Sequence, residues 1–153
     1  MITNHFTATG IVFNSKDEIL MIHHKKLNVW LPPGGHIEQN ELPKEAVLRE
    51  IYEETGINAE ILLKNKKLNL SDKHCKELEC PFIMLLEDIE GDGSHNHIDM
   101  VYLCIALNED LILQESEVNG IGWFNIEQIE KLKTFENVIQ SIKKAIEYKK
   151  QNI

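Results

Sequence analysis

No stretch of the 153-residue chain approaches the roughly 18 consecutive apolar residues that a membrane-spanning helix needs. The opening MITNHFTATG also lacks the basic-then-apolar layout of a secretory signal. Both absences lead to the expectation of a cytoplasmic protein with no membrane partner. Cysteine is scarce. Cys75, Cys80 and Cys104 form an odd set without a CxxC pair, which argues against a disulfide framework and suits a reducing compartment. His74 and Cys75 lie near Cys80, but their spacing matches no closed four-ligand zinc pattern. Positive charge is short as well: 25 acids against 16 bases leave a net charge of −9. Such a balance disfavours broad nucleic-acid binding, so an anionic substrate must be recruited locally, by a bound cation or a few lysines. Lys64, Lys66 and Lys67 make the densest basic cluster, either a phosphate patch or a solvated loop. Arginine is nearly missing, with Arg49 standing against fifteen lysines. A chain that uses lysine for charge alone marks its one arginine as a place that needs the planar, bidentate guanidinium fork.

Internal repeats, low-complexity tracts and domain boundaries are absent, so residues 1–153 read as one domain. His5 to Phe13 and Glu18 to His24 read as a hairpin around the turn at Asn14 to Asp17. The doublet His23-His24 faces opposite ways and is read as structural. Asn28 to Leu31 is a short extended piece before the loop Pro32-Pro33-Gly34-Gly35. Trp30 there is more a packing residue than a base-stacking one. Strands are expected over Asn58–Leu63, Cys80–Ile89, His97–Leu107 and Gly120–Phe124. The third, apolar on both alternating sets, should be central. Ile126–Leu132 and Phe135–Lys149 read as helices, the second burying Val138, Ile139, Ile142 and Ile146. The whole implies an α+β layered sandwich.

One stretch organises the rest: Gly35 to Ile57, GHIEQNELPKEAVLREIYEETGI. Pro43 suits a first helical position and Gly56 a left-handed helix end. Leu48, Ile51 and Tyr52 supply an apolar face, and Glu50, Glu53 and Glu54 fall on the other side. Alone, these acids fit a solvated face with a small electrostatic penalty.

Their setting resembles the signature of the Nudix hydrolases. Gly35, Glu41, Arg49, Glu50, Ile51, Glu53, Glu54, Gly56 and Ile57 fill all of its positions, and the WLPPGGHIE loop and Trp123-Phe124 are also similar. The resemblance implies an α/β/α sandwich around a central mixed β-sheet. It further implies Mg²⁺ (Mn²⁺ as an alternative) held by Glu50, Glu53, Glu54 and the Gly35 carbonyl, with Arg49 paired to one glutamate. Glu41 is expected to orient the loop and helix. The implied reaction is hydrolysis of a nucleoside diphosphate linked to another moiety, with water attacking a phosphorus. For the general base the candidates are a box glutamate, with Glu50 named, or an acid on a later loop, Glu115 or Glu117, with Glu117 preferred.

His95, His97 and Asp99 alternate on one side of the central strand's entry, either as substrate contacts at a pocket rim or as a hydrogen-bonded strand end. Tyr102 and Phe82 could flank a base, with packing the blander role. A second functional class is a phosphate-ligand sensor or RNA-associated module without turnover; such modules commonly lack box glutamates, and none is missing here. Substrate identity and oligomeric state stay open.

Overall fold

Eight strands join in one sheet in the computed structural model, which describes residues 1–62, 67–114, 116 and 118–153. They are β1 (Thr3–Phe13), β2 (Ile19–His24), β3 (Val29–Leu31), β4 (Gly34–His36), β5 (Ala59–Ile61), β6 (Ile83–Asp88), β7 (His95–Ala106) and β8 (Val118–Phe124). Three helices follow the expected places: α1 (Pro43–Thr55), α2 (Ile126–Ile129) and α3 (Glu136–Asn152). The path runs β3-β2-β1-β7-β5, with β4 on β1, β6 on β7 and β8 on β2.

The expected hairpin forms at its turn. The Asn14 side-chain oxygen accepts from the backbone N–H of Lys16 and of Glu18, at 3.0 and 2.9 Å. The two strands then diverge, paired only at Phe13–Ile19. Along its whole length β1 instead pairs in parallel with β7, from Thr3–His95 to Phe13–Ile105. The other ladders are antiparallel, so the sheet is mixed.

Alternation along β1 divides the core in two. Ala8 and Val12 pack under α1 with Ala46, Val47, Ile51, Tyr102 and Cys104. Ile11 and Phe13 face the opposite way, toward Ile129, Ile142 and Ala145 of α2 and α3. Helices on both faces of a mixed sheet make the expected α/β/α sandwich. The central-strand expectation holds for β7, whose Val101 to Cys104 are buried. α2 stops at Ile129, short of Leu132. Among the described residues no helix is long and apolar enough to cross a membrane.

α1 begins at Pro43, where the backbone N–H of Leu42 donates to Glu45 Oε2 at 2.8 Å. It ends where Gly56, at φ 75°, donates its N–H to the Tyr52 carbonyl. Its buried side differs from the expected apolar face. Tyr52 is 54% exposed, and Ala46, Val47 and Ile51 carry the contact with the sheet.

Candidate active site

The Pro-Pro-Gly-Gly segment is not a free loop. Gly34 and Gly35 belong to β4, which runs antiparallel beside β1 with Gly34 opposite Thr9 and Gly35 opposite Ala8. The two glycines are required for different reasons. A Cβ on Gly34 would lie 2.6 Å from the Ala8 carbonyl oxygen, inside the neighbouring strand. A Cβ on Gly35 would lie 2.5 Å from Glu50 Oε1. The helix therefore sets one carboxylate directly against Gly35. One turn later it sets another by Gly34, whose N–H donates to Glu54 Oε1 at 2.9 Å. Glu54 is buried, at 3% exposure, although the helical pattern put it on the open face.

Arg49 ties the acids together. Its Nε donates to Glu41 Oε2 at 2.7 Å and Nη2 donates to Glu41 Oε1 at 2.9 Å, a two-point fork. Nη1 reaches Glu50 Oε1 at 2.9 Å and Glu53 Oε2 at 3.1 Å, and Nη2 also donates to the His36 carbonyl. The expected partner was one of the three helix glutamates; the fork goes to Glu41, and Glu50 and Glu53 share the remaining nitrogen. These hydrogen bonds hold the Glu41 carboxyl below the usual carboxylate range and push the guanidinium pKa up. Two like charges 4 Å apart repel by about 4 kcal/mol at an effective dielectric near 20. One shared cation offsets repulsion on that scale and keeps the acids close.

Glu50 and Glu54 bring carboxylate oxygens to the Gly34–Gly35 strand, and Glu53 shares the Arg49 guanidinium with Glu50, so the donors this stretch offers are oxygens. That chemistry fits Mg²⁺ or Mn²⁺ and does not select a soft metal. Glu115 and Glu117 lie outside the described residues, as do Lys64 and Lys66. Gln114 and Ser116 are described and line an open recess with Tyr52, Glu53 and Gly56.

His95 and His97 of β7 come together with two histidines that strand patterning did not single out, His5 and His36. The parallel register sets His5 beside His97, and the β4 pairing sets His36 beside Thr7. Asp99 continues the same sheet face, buried, accepting from Thr7 Oγ1 and Thr9 Oγ1 at 2.9 Å each. Burial raises its pKa against the pull of the two hydroxyls. Glu87, opposite His97 on β6, is pushed up to about 7 by burial and by the Asp99 charge. Burial, followed by the neighbouring imidazoles, lowers His97 to about 4 and also lowers His36. A pairwise reading of strand faces could not find Glu87 or His5, because both depend on which strand lies next to β7.

The other singled-out residues have structural roles. Trp30 packs edge-on against Phe124 and His23, Phe82 packs on Tyr148, and Tyr102 is buried under α1. His24 Nδ1 accepts from the Leu27 N–H. The backbone N–H groups of His74 and Cys75 cap Asp72, and Cys75 and Cys80 are exposed free thiols.

The family model for the NUDIX domain matches residues 3–145. A Lactococcus lactis protein named as a DHNTP pyrophosphohydrolase is 31% identical over 143 residues, covering 94% of this chain and 72% of that one. A Bacillus subtilis protein named as an 8-oxo-dGTP diphosphatase is 43% identical over 57 residues, 37% of this chain and 38% of that one. Among solved structures, a NUDIX-family hydrolase from Clostridium perfringens superposes with a TM-score of 0.80 at 32% identity, over 95% of this chain and 98% of that one.

Proposed function

The chain belongs to the NUDIX family and is a hydrolase acting on acid anhydrides, and from that premise we propose that it is a Mg²⁺-dependent pyrophosphohydrolase of a nucleoside diphosphate linked to another moiety. The observation that carries the reading is the convergence of Glu50 and Glu54 on the Gly34–Gly35 strand while Arg49 binds Glu41, Glu50 and Glu53. Glu50, Glu53, Glu54 and the Gly35 carbonyl would hold the cation. When bound, Mg²⁺ neutralises the diphosphate and makes water a better nucleophile.

The remaining work falls to the chain itself. Gly34 orients Glu54 through its N–H, and Arg49 holds Glu50 and Glu53 through hydrogen bonds from its Nη1. Glu41 locks the guanidinium in that pose from outside. Attack on phosphorus releases a proton from water, and Glu117 is our choice to accept it, with Glu50 the alternative. Glu117 is chosen from the sequence, as an acid on the stretch upstream of Trp123. His95, His97 and Asp99 are assigned as substrate contacts, on the sheet face that His36 of β4 shares with His97.

The similar proteins' names make DHNTP and 8-oxo-dGTP the first two substrates to assay, followed by ADP-ribose, nucleotide sugars and diadenosine polyphosphates. Turnover should need Mg²⁺ or Mn²⁺, stop with EDTA, and fall by about two or more orders of magnitude in Glu53→Gln and Glu54→Gln. Undiminished activity of both variants would overturn the metal assignment. Tight nucleotide binding without cleavage across the panel would replace hydrolysis with sensing. Running the reaction in ¹⁸O-water and identifying the labelled product shows which phosphorus is attacked.

A further inference from the structure

The four-histidine group leaves a chemical question that the glutamate site does not answer. Imidazoles gathered this closely can serve an anion when protonated or a metal ion when neutral. Ring centroids lie 4.9 Å apart for His5–His95, 5.2 Å for His95–His97 and 5.0 Å for His36–His97. Neutral rings present lone pairs, which is the form in which histidine binds metals. The nitrogens are also unevenly satisfied. His95 Nε2 lies 3.2 Å from His5 Nδ1, a contact that at most one proton can mediate. His97 Nε2 is buried and has no hydrogen-bond partner among the described residues. A buried polar atom left this way is unfavourable, and a ligand would satisfy it.

We propose that His5, His95 and His97 form a second cation site, distinct from the glutamate site, that takes a borderline-soft divalent transition metal such as Zn²⁺. One nitrogen from each ring lies within 4.8 Å of the other two. Zn–N bonds of about 2.0–2.1 Å at tetrahedral angles require nitrogens about 3.4 Å apart, so closure needs small side-chain rotations rather than strand movement. The rings stand on β1 and β7, whose parallel pairing at Thr3–His95 and His5–His97 fixes their spacing. Glu90 Oε1 lies 3.7 Å from His95 Nδ1, while Nε2 of the same ring faces His5 Nδ1. Three protein nitrogens leave the fourth position for water or an anionic group, the layout of an open rather than a closed zinc site. The ligand set selects against Mg²⁺, which prefers oxygen, so the two sites on either side of β4 differ in the ion they take. This inference stands on the histidine geometry and does not depend on the proposed hydrolysis.

The test is Zn²⁺ titration of the EDTA-stripped, dialysed full chain with Mg²⁺ in large excess, read by competition with a fluorescent zinc chelator. One equivalent should bind, unchanged in Glu53→Gln and weakened about tenfold or more in His5→Asn and His97→Asn. His5 is exposed, so His5→Asn keeps the fold even if His97→Asn does not. Long-range ¹H–¹⁵N spectra should show zinc-dependent shifts at the imidazole nitrogens of His5, His95 and His97. Absence of a stoichiometric site, affinity unchanged in His5→Asn, or loss of binding in Glu53→Gln would each overturn the proposal.

Discussion

Arg49 holds Glu41 by two parallel hydrogen bonds, Nε to Oε2 at 2.7 Å and Nη2 to Oε1 at 2.9 Å, across a turn of chain and the start of α1. The same guanidinium still reaches Glu50 and Glu53 through Nη1. A lysine cannot reproduce this arrangement, because one ammonium group cannot form the planar fork and reach forward as well. Arg49→Lys should therefore keep its fold and lose orientation. Losing one charge-assisted pair costs about 2 kcal/mol, equivalent to about thirtyfold in rate. Steady-state kinetics at saturating Mg²⁺ checks this: kcat should fall far more than the melting temperature does, and wild-type kcat in the variant would show that Arg49 positions nothing.

The sequence made this relationship half legible. A lone arginine inside a run of acids announces a bidentate site, but the resemblance pointed to one of Glu50, Glu53 and Glu54 as the partner, all on α1. Glu41 lies before the helix, and only the return of the chain along β4 brings it to the fork. Glu54 shows the same blindness: the wheel exposes it, and β4 buries it. Local signals did well where local physics decides, as with Pro43 and Gly56 at the ends of α1. The parallel pairing of β1 with β7 joins positions about ninety residues apart. Nothing in either strand's own pattern names its neighbour, so His95, His97 and Asp99 were visible while His5, His36 and Glu87 were not.

Glu87 gives the fold a pH dependence of predictable sign. Burial, and then the Asp99 charge, raise its pKa to about 7. The folded chain therefore keeps a proton that the unfolded chain releases near pH 4.5, and stability falls as pH rises through that window. A shift of this size corresponds to about 3 kcal/mol for a fully buried group, and partial exposure brings it to about 1–2 kcal/mol. His97, lowered to about 4, acts the opposite way between about pH 4 and 6.5, so the parent curve alone is ambiguous. The difference between Glu87→Gln and the parent isolates the carboxyl. In urea denaturation with EDTA present, that difference should favour the variant by about 1–2 kcal/mol more at pH 8 than at pH 5. A difference independent of pH would remove Glu87 from this role.

The three thiols should separate by reactivity. Cys104 is fully buried beneath α1, and burial pushes its thiol up, while Cys75 and Cys80 are exposed. Brief alkylation of the native chain at mild alkaline pH should add two labels, both mapped to Cys75 and Cys80 by peptide mass spectrometry. The third label should enter only with denaturant, and native labelling of Cys104 would contradict the packing of α1 on the sheet.

Adjacent glycines on β4 should fail in opposite ways when a methyl group is added. At Gly34 the new Cβ meets backbone: the Ala8 carbonyl oxygen at 2.6 Å and the Thr9 Cα at 2.8 Å. Strand backbone cannot step aside without breaking the β1–β4 pairing, so Gly34→Ala should lose about 2–4 kcal/mol of stability. At Gly35 the obstacle is the end of a side chain, the Glu50 carboxyl. That group can swing away, so Gly35→Ala should stay within about 1 kcal/mol of the parent. Its swing, however, pulls a carboxylate from the proposed cation site and strains the hydrogen bond from Arg49 Nη1. A displacement of about 1 Å at a reacting centre can cost about a hundredfold in rate. Gly35→Ala should therefore melt near the parent temperature and turn over about a hundredfold more slowly, with a raised Mg²⁺ requirement. Thermal melts paired with Mg²⁺-dependent kinetics distinguish the two variants. A stable, fully active Gly35→Ala chain would mean that Glu50 need not rest on Gly35 for the reaction to run.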